Sequence, residues 1–192
     1  MYRAVTLLAL REGLGPDDEE SLIRLAKDAN IRFEQTGQED EQQIYCCGEN
    51  VTEEIRSLPV SEAVSGIAAV AGVREALVEA QRKMAADQHV VMDGRDIGTV
   101  VLPEAECKIY LTASAEERAR RRKKERAGKA KERTLEEITA EIRKRDEDDM
   151  SRENSPLRQA EDSVLLDTTY MHFQESVDAA LEIVRVSQKS GT

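Results

Sequence analysis

Residues 88–99, Q-H-V-V-M-D-G-R-D-I-G-T, decide the fold expected for this 192-residue chain. The run 88–93 is short and apolar and ends in a carboxylate, which is typical of a buried strand in a parallel sheet. Residues 108–112 and 163–167 repeat this pattern, and the stretches around them have helical spacing. Alternating strands and helices predict an α/β fold with a parallel sheet. Ligands bind beyond the carboxyl ends of such strands, so the turn 94–99 is the first candidate site.

Helical spacing and turn residues place the remaining elements. Predicted helices cover residues 2–12, 17–30, 60–70, 73–86, 115–127, 135–149 and 174–186. Gly13 ends the first of these helices, and Gly72 separates the third from the fourth. Short strands at 31–35 and 42–47, next to Gly37 and Gly48, predict a small antiparallel element.

The charge distribution restricts the class of partner. A net charge of −11 argues against nonspecific binding to nucleic acid or to an anionic membrane. Residues 118–133 hold ten lysines and arginines against two glutamates, so this stretch carries +8 and the remainder −19. A basic island in an acidic protein favours a small, strongly anionic partner. No apolar run approaches the ~20 residues of a membrane span, and no signal-peptide pattern opens the chain, so we expect a cytoplasmic protein.

Cysteine and histidine spacing does not predict a metal centre. Cys46 and Cys47 are adjacent, Cys107 is distant, and neither His89 nor His172 has a partner at ligand spacing. The thiols are therefore expected to be reduced and to act as small hydrophobic side chains.

The turn 94–99 carries residue types suited to a phosphorylated ligand. Gly94 and Gly98 allow a sharp bend or a close backbone approach, and the guanidinium of Arg95 matches phosphate. Asp93 can hold Mg²⁺ directly or through water. Asp96 can accept a hydrogen bond from an exocyclic amine. The alternative is a surface turn whose Arg–Asp pair contributes little.

Two further clusters could bind anions. Arg145, Asp149 and Arg152 would lie within about 60° of arc if one helix ran through all three, and would form a clamp for phosphate and sugar. The alternative is an ordinary i,i+4 ion pair on a solvated helix. The basic stretch 118–126 is a charged helix face, a nucleic-acid patch or a mobile lid that neutralises polyphosphate, and the residues alone leave these three open.

Several motifs occur in the same order in bacterial cytidylate kinases, which the chain resembles over essentially its whole length. They are M-Y-R-A-V-T (1–6), V-S and V-R-E-A-L between 64 and 77, D-G-R-D-I-G-T-V-V-L-P (93–103), K-I-Y-L-T-A-S-A-E-E-R-A-R-R (108–121) and E-I-R-K-R-D (141–146). The resemblance implies an enzyme that phosphorylates CMP, and dCMP, with ATP as co-substrate and Mg²⁺ as cofactor. It also implies a monomer with nucleotide partners and neither nucleic-acid nor membrane partners.

The resemblance assigns each part of the chain a place in a single nucleoside-monophosphate kinase domain, 1–192. Its fold would be a P-loop kinase-like parallel sheet with flanking helices. Residues 14–86 would form the monophosphate-binding region with its antiparallel insert, 87–117 and 155–192 the core, and 118–154 the basic lid and the helix after it.

The resemblance also assigns roles to individual side chains. Those implied to bind the acceptor nucleotide are Tyr2 beside the monophosphate, Arg3, Arg95 and Arg152 at the α-phosphate, Ser65, Arg74 and Asp96 at the cytosine edge, and Arg145 and Asp149 around the ribose and phosphate. Those implied to bind ATP phosphates from the lid are Arg118, Arg121 and Arg122. Asp93 would lie near Mg²⁺, and the residues expected to act in catalysis are Arg95, Arg118, Arg122 and Arg152.

The cytosine set is chemically consistent. Asp96 can accept from the amino group, while Arg74 and Ser65 can donate to the ring carbonyl and nitrogen. Uracil would turn a carbonyl towards Asp96, which is repulsive. A kinase for another small monophosphate remains an alternative.

One departure from the family pattern is large. The family begins with a strand, G-x-x-x-x-G-K-[ST] and a helix, whereas this sequence contains no such motif. We therefore expect an N-terminally truncated chain that lacks the first strand, the P-loop and the start of the first helix, roughly 30 residues. A misassigned start, a clipped sequence and a genuine loss are the alternatives. Severely reduced kinase activity is expected, and a non-catalytic CMP-binding regulator or a nucleic-acid-binding protein are the competing functions.

Overall fold

The computed structural model describes four stretches of the chain, residues 1–35, 42–86, 89–125 and 133–190. The chain divides into two compact units, Met1–Val90 and Val91–Thr192. Within the described stretches, no helix is both long enough and apolar enough to cross a bilayer.

The first unit packs helices against a small antiparallel sheet. Its helices are α1 (Tyr2–Arg11), α2 (Glu19–Asp28), α3 (Leu58–Ala69) and α4 (Ala71–Ala85), and its strands are β1 (Arg32–Gln35), β2 (Gln42–Cys46) and β3 (Glu49–Asn50). A 3₁₀ turn, Glu54–Arg56, precedes α3. The strands pair antiparallel in the order β1-β2-β3. The predicted antiparallel element is thus confirmed, and β3 was not predicted; Gly37 lies outside the described residues.

Helix α1 ends as its sequence predicts. Gly13 has φ +70°, the left-handed conformation that glycine adopts without steric penalty. The N–H of Leu14 donates to the carbonyl of Ala9 at 2.9 Å, and that of Gly13 donates to Leu10 at 3.2 Å. These two bonds close the helix with a Schellman motif, so the chain turns sharply towards α2.

The break between α3 and α4 lies at Val70 and not at Gly72, which corrects the prediction. Val70 is extended, with φ −66° and ψ 116°, and Gly72 lies inside α4. A Cβ at Gly72 would lie 2.3 Å from Cδ1 of Ile23. A larger residue there would require the Ile23 side chain to shift, so glycine lets α2 and α4 approach closely without that change.

Aliphatic side chains fill the core of the first unit. Its largest fully buried side chains include Val5 on α1, Leu22 on α2, Val60 on α3, and Val73 and Leu77 on α4. Each such burial is worth about 1.5–3 kcal/mol relative to exposure. This core holds the elements that carry Tyr2, Arg3, Ser65 and Arg74.

The second unit contains the parallel sheet. Its strands are β4 (Ile109–Thr112) and β5 (Val164–Asp167), its helices are α5 (Ala115–Glu125), α6 (Leu135–Ser151) and α7 (Phe173–Ser190), and a π-helical turn spans Ile97–Val101. Strands β4 and β5 pair in parallel, with Ile109 opposite Val164 and Thr112 opposite Asp167. The predicted parallel pairing of these strands is confirmed.

The prediction of a buried strand at 88–93 is wrong. Residues 89–93 have no strand structure, Val91 is fully exposed, and Gln88 lies outside the described residues. A strand needs a neighbour to complete its hydrogen bonds, and no described strand pairs with these residues. Leu111 and Leu165 on the two-stranded sheet are also 65% and 56% exposed, so apolar sequence alone overestimated their burial.

Helix α6 positions the second candidate cluster. Thr134 caps its start, since the Thr134 hydroxyl accepts from the N–H of Glu137 and the Glu137 carboxylate accepts from the N–H of Thr134. Ile138 and Ile142 pack with Ala119 of α5 in a small core. The helix extends to Ser151, two residues beyond the prediction, and Arg152 is its extended C-cap.

Candidate functional site

The turn 94–99 leads into the π-helical turn, which Asp96 begins. The carbonyl of Asp96 accepts from the N–H groups of Val100 at 2.9 Å and Val101 at 3.2 Å. Asp96 is only 4% exposed, whereas Asp93 and Arg95 are exposed. Short π-helical turns occur frequently at functional sites. The turn therefore presents one buried carboxylate and one exposed guanidinium from adjacent residues.

Three guanidiniums surround one buried carboxylate in the second unit. Asp149 is 2% exposed, and its Oδ2 lies 3.1 Å from Nε of Arg95 and 3.9 Å from Nε of Arg145. Its Oδ1 lies 2.5 Å from Nη2 of Arg152. The four residues, here called the Asp149 cluster, bring together the two candidate sites that the sequence suggested separately.

Arg152 joins the Asp149 cluster from outside the helix. The prediction of a single helical face through Arg145, Asp149 and Arg152 is wrong in this detail, because Arg152 has ψ 136°. The chain turns back immediately afterwards, and the N–H of Leu157 donates to the carbonyl of Asp149 at 2.8 Å. Leaving the helix brings the Arg152 side chain to the opposite carboxylate oxygen from Arg95.

The Asp149 cluster carries more positive than negative charge. Three arginines face one aspartate, a surplus of +2. Burial, and then the neighbouring charge of Arg95, lowers the pKa of Arg145 in spite of the attraction of Asp149. Since guanidiniums stay charged at neutral pH, the surplus favours an anion such as phosphate, which arginine binds in bidentate fashion.

The arginines of α5 are engaged by partners within the second unit. Arg118 donates from both Nη atoms to Asp146, at 3.0 and 2.6 Å, and from Nε to the Ala113 carbonyl at 3.0 Å. Arg122 pairs with Glu141 at 2.9 Å, and the same carboxylate pairs with Arg133 at 2.5 Å. Of the predicted basic stretch 118–126, only Arg126 lies outside the described residues.

Arg121 links α5 to the segment after β5. It donates to the Thr168 carbonyl at 2.6 Å, the Thr168 hydroxyl at 3.2 Å and the Met171 carbonyl at 3.3 Å. Its Nε also lies 3.1 Å from Glu117. In this arrangement Arg121 holds the end of the sheet in place.

Tyr2 and Arg74 lie together in the first unit. The guanidinium carbon of Arg74 lies 5.2 Å from the centre of the Tyr2 ring, within the range of a cation–π contact. Arg74 is 4% exposed and donates to the Ala68 carbonyl at 3.1 Å. Ser65 is half-buried on α3. Arg74 is thus held rigidly by its own helix pair.

Arg3 is tied to the start of α3. Its Nη1 donates to the Ile55 carbonyl at 2.8 Å and to the Ser61 hydroxyl at 3.0 Å. The family resemblance implied that Arg3 binds a phosphate, and the sequence gave no sign of these two partners.

Sequence reasoning missed the acidic partners on α6. Glu141 and Asp146 are the first and last residues of the motif E-I-R-K-R-D, but only Arg145 of that motif was singled out. The available signal was the pairing of a strongly basic helix with a following helix rich in acidic residues, joined by a short connection.

Comparison with known proteins gives one consistent family. A family model described as cytidylate kinase matches residues 1–186. The cytidylate kinase of Carboxydothermus hydrogenoformans is 50% identical over 184 residues, covering 96% of this chain and 82% of that protein. That of Desulforamulus reducens is 51% identical over 181 residues (94% and 80%). That of Caldanaerobacter subterraneus subsp. tengcongensis is 46% identical over 189 residues (98% and 82%).

Proposed function

The chain belongs to the cytidylate kinase family, and on that premise we propose that it transfers the γ-phosphoryl group of ATP to CMP, and to dCMP. The observation that carries the proposal is the Asp149 cluster, whose surplus of +2 suits the phosphate of the acceptor nucleotide. Phosphoryl transfer requires positioning and charge neutralisation more than covalent catalysis by the protein, and arginines supply both.

The acceptor phosphate is bound by arginines in this proposal. Arg95 and Arg152 grip the α-phosphate from the Asp149 cluster, with Arg145 adjoining them, and Asp149 also accepts from the ribose hydroxyls. Arg3 and Tyr2 serve the same monophosphate. The ion pairs to Asp149 support these roles because they fix the guanidiniums before the nucleotide binds, which lowers the entropic cost of binding.

The base is recognised through its amino group. Asp96 accepts from that group, while Arg74 and Ser65 donate to the carbonyl and ring nitrogen. The near-complete burial of Asp96 and Arg74 supports this role, because a buried polar group that loses its partner penalises the wrong base most strongly.

A divalent cation fits the proposal, and we take it to be Mg²⁺. Mg²⁺ usually keeps several waters and takes one or two carboxylates plus substrate phosphates. The exposed carboxylate of Asp93, at the entrance of the turn 94–99, meets that requirement. The cation would neutralise phosphate charge on ATP.

The donor phosphates are assigned to Arg118, Arg121 and Arg122 of the lid. These side chains hold acidic or carbonyl partners on α6 and after β5, so we expect ATP to compete with those partners. Arg118 and Arg122 would then stabilise charge on the transferred group. We further propose that the protein acts as a cytoplasmic monomer on nucleotides alone.

A kinase assay tests this function. Purified protein is incubated with MgATP and CMP or UMP, and CDP or UDP is measured by chromatography. We expect CMP-dependent formation of CDP and much less UDP. CMP binding with no CDP at any enzyme concentration contradicts the kinase proposal and favours a CMP-binding regulator.

A further inference from the structure

Lys108, at the start of β4, is an unusually buried lysine. Its side chain is only 8% exposed, whereas lysine is among the residues least often buried. The ammonium lies 2.5 Å from Oδ2 of Asp162 and also donates to the carbonyl of Pro103. Neither Asp162 nor Pro103 belongs to the Asp149 cluster, and this ion pair has no role in the function proposed above.

The methylene groups of Lys108 lie directly beneath the π-helical turn. A Cβ added to Gly98 would lie 3.3 Å from Cδ and 3.5 Å from Cγ of Lys108. Gly98 therefore permits the turn to rest on the lysine stem. One side chain thus contacts the middle of the turn through its methylene groups and binds Pro103, two residues beyond the end of the turn, through its ammonium.

The backbone of Lys108, the residue before β4, is hydrogen-bonded to β5. Its carbonyl accepts from the N–H of Val164 at 2.9 Å, next to the first residue pair of β4 and β5. Asp162 precedes β5 by two residues, and its hydrogen bond with Lys108 holds the pKa of that carboxyl below its usual value. The ammonium therefore ties the turn to both strands at the same end of the sheet.

We propose that Lys108 is a positioning residue for the turn 94–99, and that with Asp162 it fixes the orientation from which Asp96 and Arg95 recognise CMP. Asp96 shares the rigid body of the turn, because its carbonyl accepts from Val100 and Val101. Releasing the turn at Lys108 should therefore displace Asp96 even though the two side chains perform different tasks. The inference rests on the proposed recognition of CMP.

Lys108→Met tests the proposal, since methionine keeps an unbranched stem under Gly98 and removes the ammonium. We expect the Kd for CMP, measured by calorimetry, to rise about tenfold. We also expect the preference for CMP over UMP to fall at least about threefold, because the Asp96 carboxylate is displaced from the position in which it accepts from the cytosine amino group. Lys108→Arg should recover part of both, and Lys83→Met, which removes an exposed ion pair on α4, should change neither.

Amide hydrogen exchange in the ligand-free protein separates this proposal from the proposed function. In Lys108→Met the N–H groups of Val100, Val101 and Leu102 should exchange faster, while those of α6 stay protected. If the parent protein does not bind CMP, the proposed function fails, yet exchange still reports on the turn. Asp162→Asn, which changes the exposed partner of Lys108 and should have a smaller effect in the same direction, serves if Lys108→Met does not fold. The proposal is overturned if a folded variant has the same ratio of Kd values for CMP and UMP as the parent and the same amide exchange rates in the turn.

Discussion

At the scale of single residues, Asp149 holds the central position in the candidate site. It is almost fully buried, and Arg95, Arg145 and Arg152 all approach its carboxylate. Breaking a buried ion pair by removing one partner is costly, because the remaining charge stays desolvated. An anion bound by the arginines would reduce that cost, so stability and phosphate binding are coupled at this residue.

Asp149→Asn should therefore destabilise the protein in a phosphate-dependent manner. We expect the free energy of unfolding to fall by about 3 kcal/mol, and inorganic phosphate to raise the Tm more in the variant than in the parent. Thermal unfolding with and without phosphate measures both. Asp148→Asn, an exposed neighbour on α6, should change stability by less than about 0.5 kcal/mol. Equal phosphate responses in Asp149→Asn and the parent would contradict this coupling.

The adjacent cysteines should differ strongly in reactivity. Burial, and then the neighbouring Cys47, raises the pKa of Cys46 to about 11, and Cys46 is 1% exposed whereas Cys47 is exposed. Because the thiolate is the nucleophile, iodoacetamide at about pH 8 should modify Cys47 and leave Cys46 intact until denaturant is added. Peptide mass spectrometry over time measures this order, and equal rates at the two thiols would refute it.

Residue types predicted part of the site. Arg145 and Asp149 were expected to be neighbours because i,i+4 positions share a helix face. The approach of Arg95 from the turn 94–99 depends on tertiary structure, and that of Arg152 depends on a local departure from helix, so neither distance could be derived from spacing. Lys108 gave no sequence signal, since a lysine before a strand is normally exposed.

At the scale of secondary-structure elements, α5 and α6 are held together by opposite charges. Glu141 on α6 lies between Arg122 and Arg133, and Arg118 and Asp146 form a second link. The apolar contact between the helices is small, with Ala119, Ile138 and Ile142 as its buried members. Ion pairs therefore contribute much of the specificity with which α5 packs against α6.

Glu141→Gln should produce a pH-dependent loss of stability. Burial alone would raise the pKa of Glu141, but Arg122 and Arg133 together hold it below the usual value of 4.5. A carboxylate whose native pKa is depressed contributes stability to the folded state. This contribution is complete above the unfolded pKa and is lost as pH falls through the native pKa. The variant should thus be less stable than the parent at neutral pH, and the difference should shrink below the usual pKa of 4.5 and vanish once the pH lies below the native pKa of Glu141.

Chemical denaturation across this pH range gives the test. Glu147→Gln, an exposed position on α6, is the control and should show little difference from the parent at any pH. A stability difference for Glu141→Gln that persists unchanged to low pH would show that charge at Glu141 is not its source.

Gly72 tests the contact between α2 and α4. Glycine to alanine inside a helix ordinarily stabilises by roughly 0.5–1 kcal/mol, but here the new methyl overlaps Ile23. We expect Gly72→Ala to destabilise by about 1–3 kcal/mol and Ile23→Val, which removes Cδ1, to relieve part of that loss in the double variant. A double-mutant cycle from denaturation curves measures the coupling, and strict additivity would contradict the overlap.

Element boundaries show where sequence patterns fail. The end of α1 could be predicted because glycine readily adopts the left-handed conformation seen at Gly13. The break before α4 could not, because Gly72 lies inside the helix against Ile23 and the break is at Val70. The apolar run 88–93 matched a strand pattern but has no described neighbour to pair with. Local patterns report propensity, and pairing decides whether a strand forms.

At the scale of the whole molecule, positive charge is balanced by carboxylates between α5 and α6 but remains in excess at the Asp149 cluster. Arg118 and Arg122 of α5 pair with carboxylates of α6, while the Asp149 cluster keeps a surplus of positive charge in a protein whose net charge is −11. This distribution favours a small anion held at one place over a long polyanion spread along a surface. An acceptor nucleotide with a single phosphate matches it.

Calorimetric titration of the protein with CMP and, separately, with cytidine tests the central claim, that the Asp149 cluster holds the phosphate of the acceptor nucleotide. We predict one CMP site with cytidine bound at least about 100-fold more weakly, since charge-assisted bonds to phosphate dominate the affinity. In Arg152→Met the ratio of the Kd for cytidine to the Kd for CMP should fall about tenfold, and in Lys83→Met this ratio should remain unchanged. Equal affinities for CMP and cytidine, or no CMP binding at all, would contradict the claim.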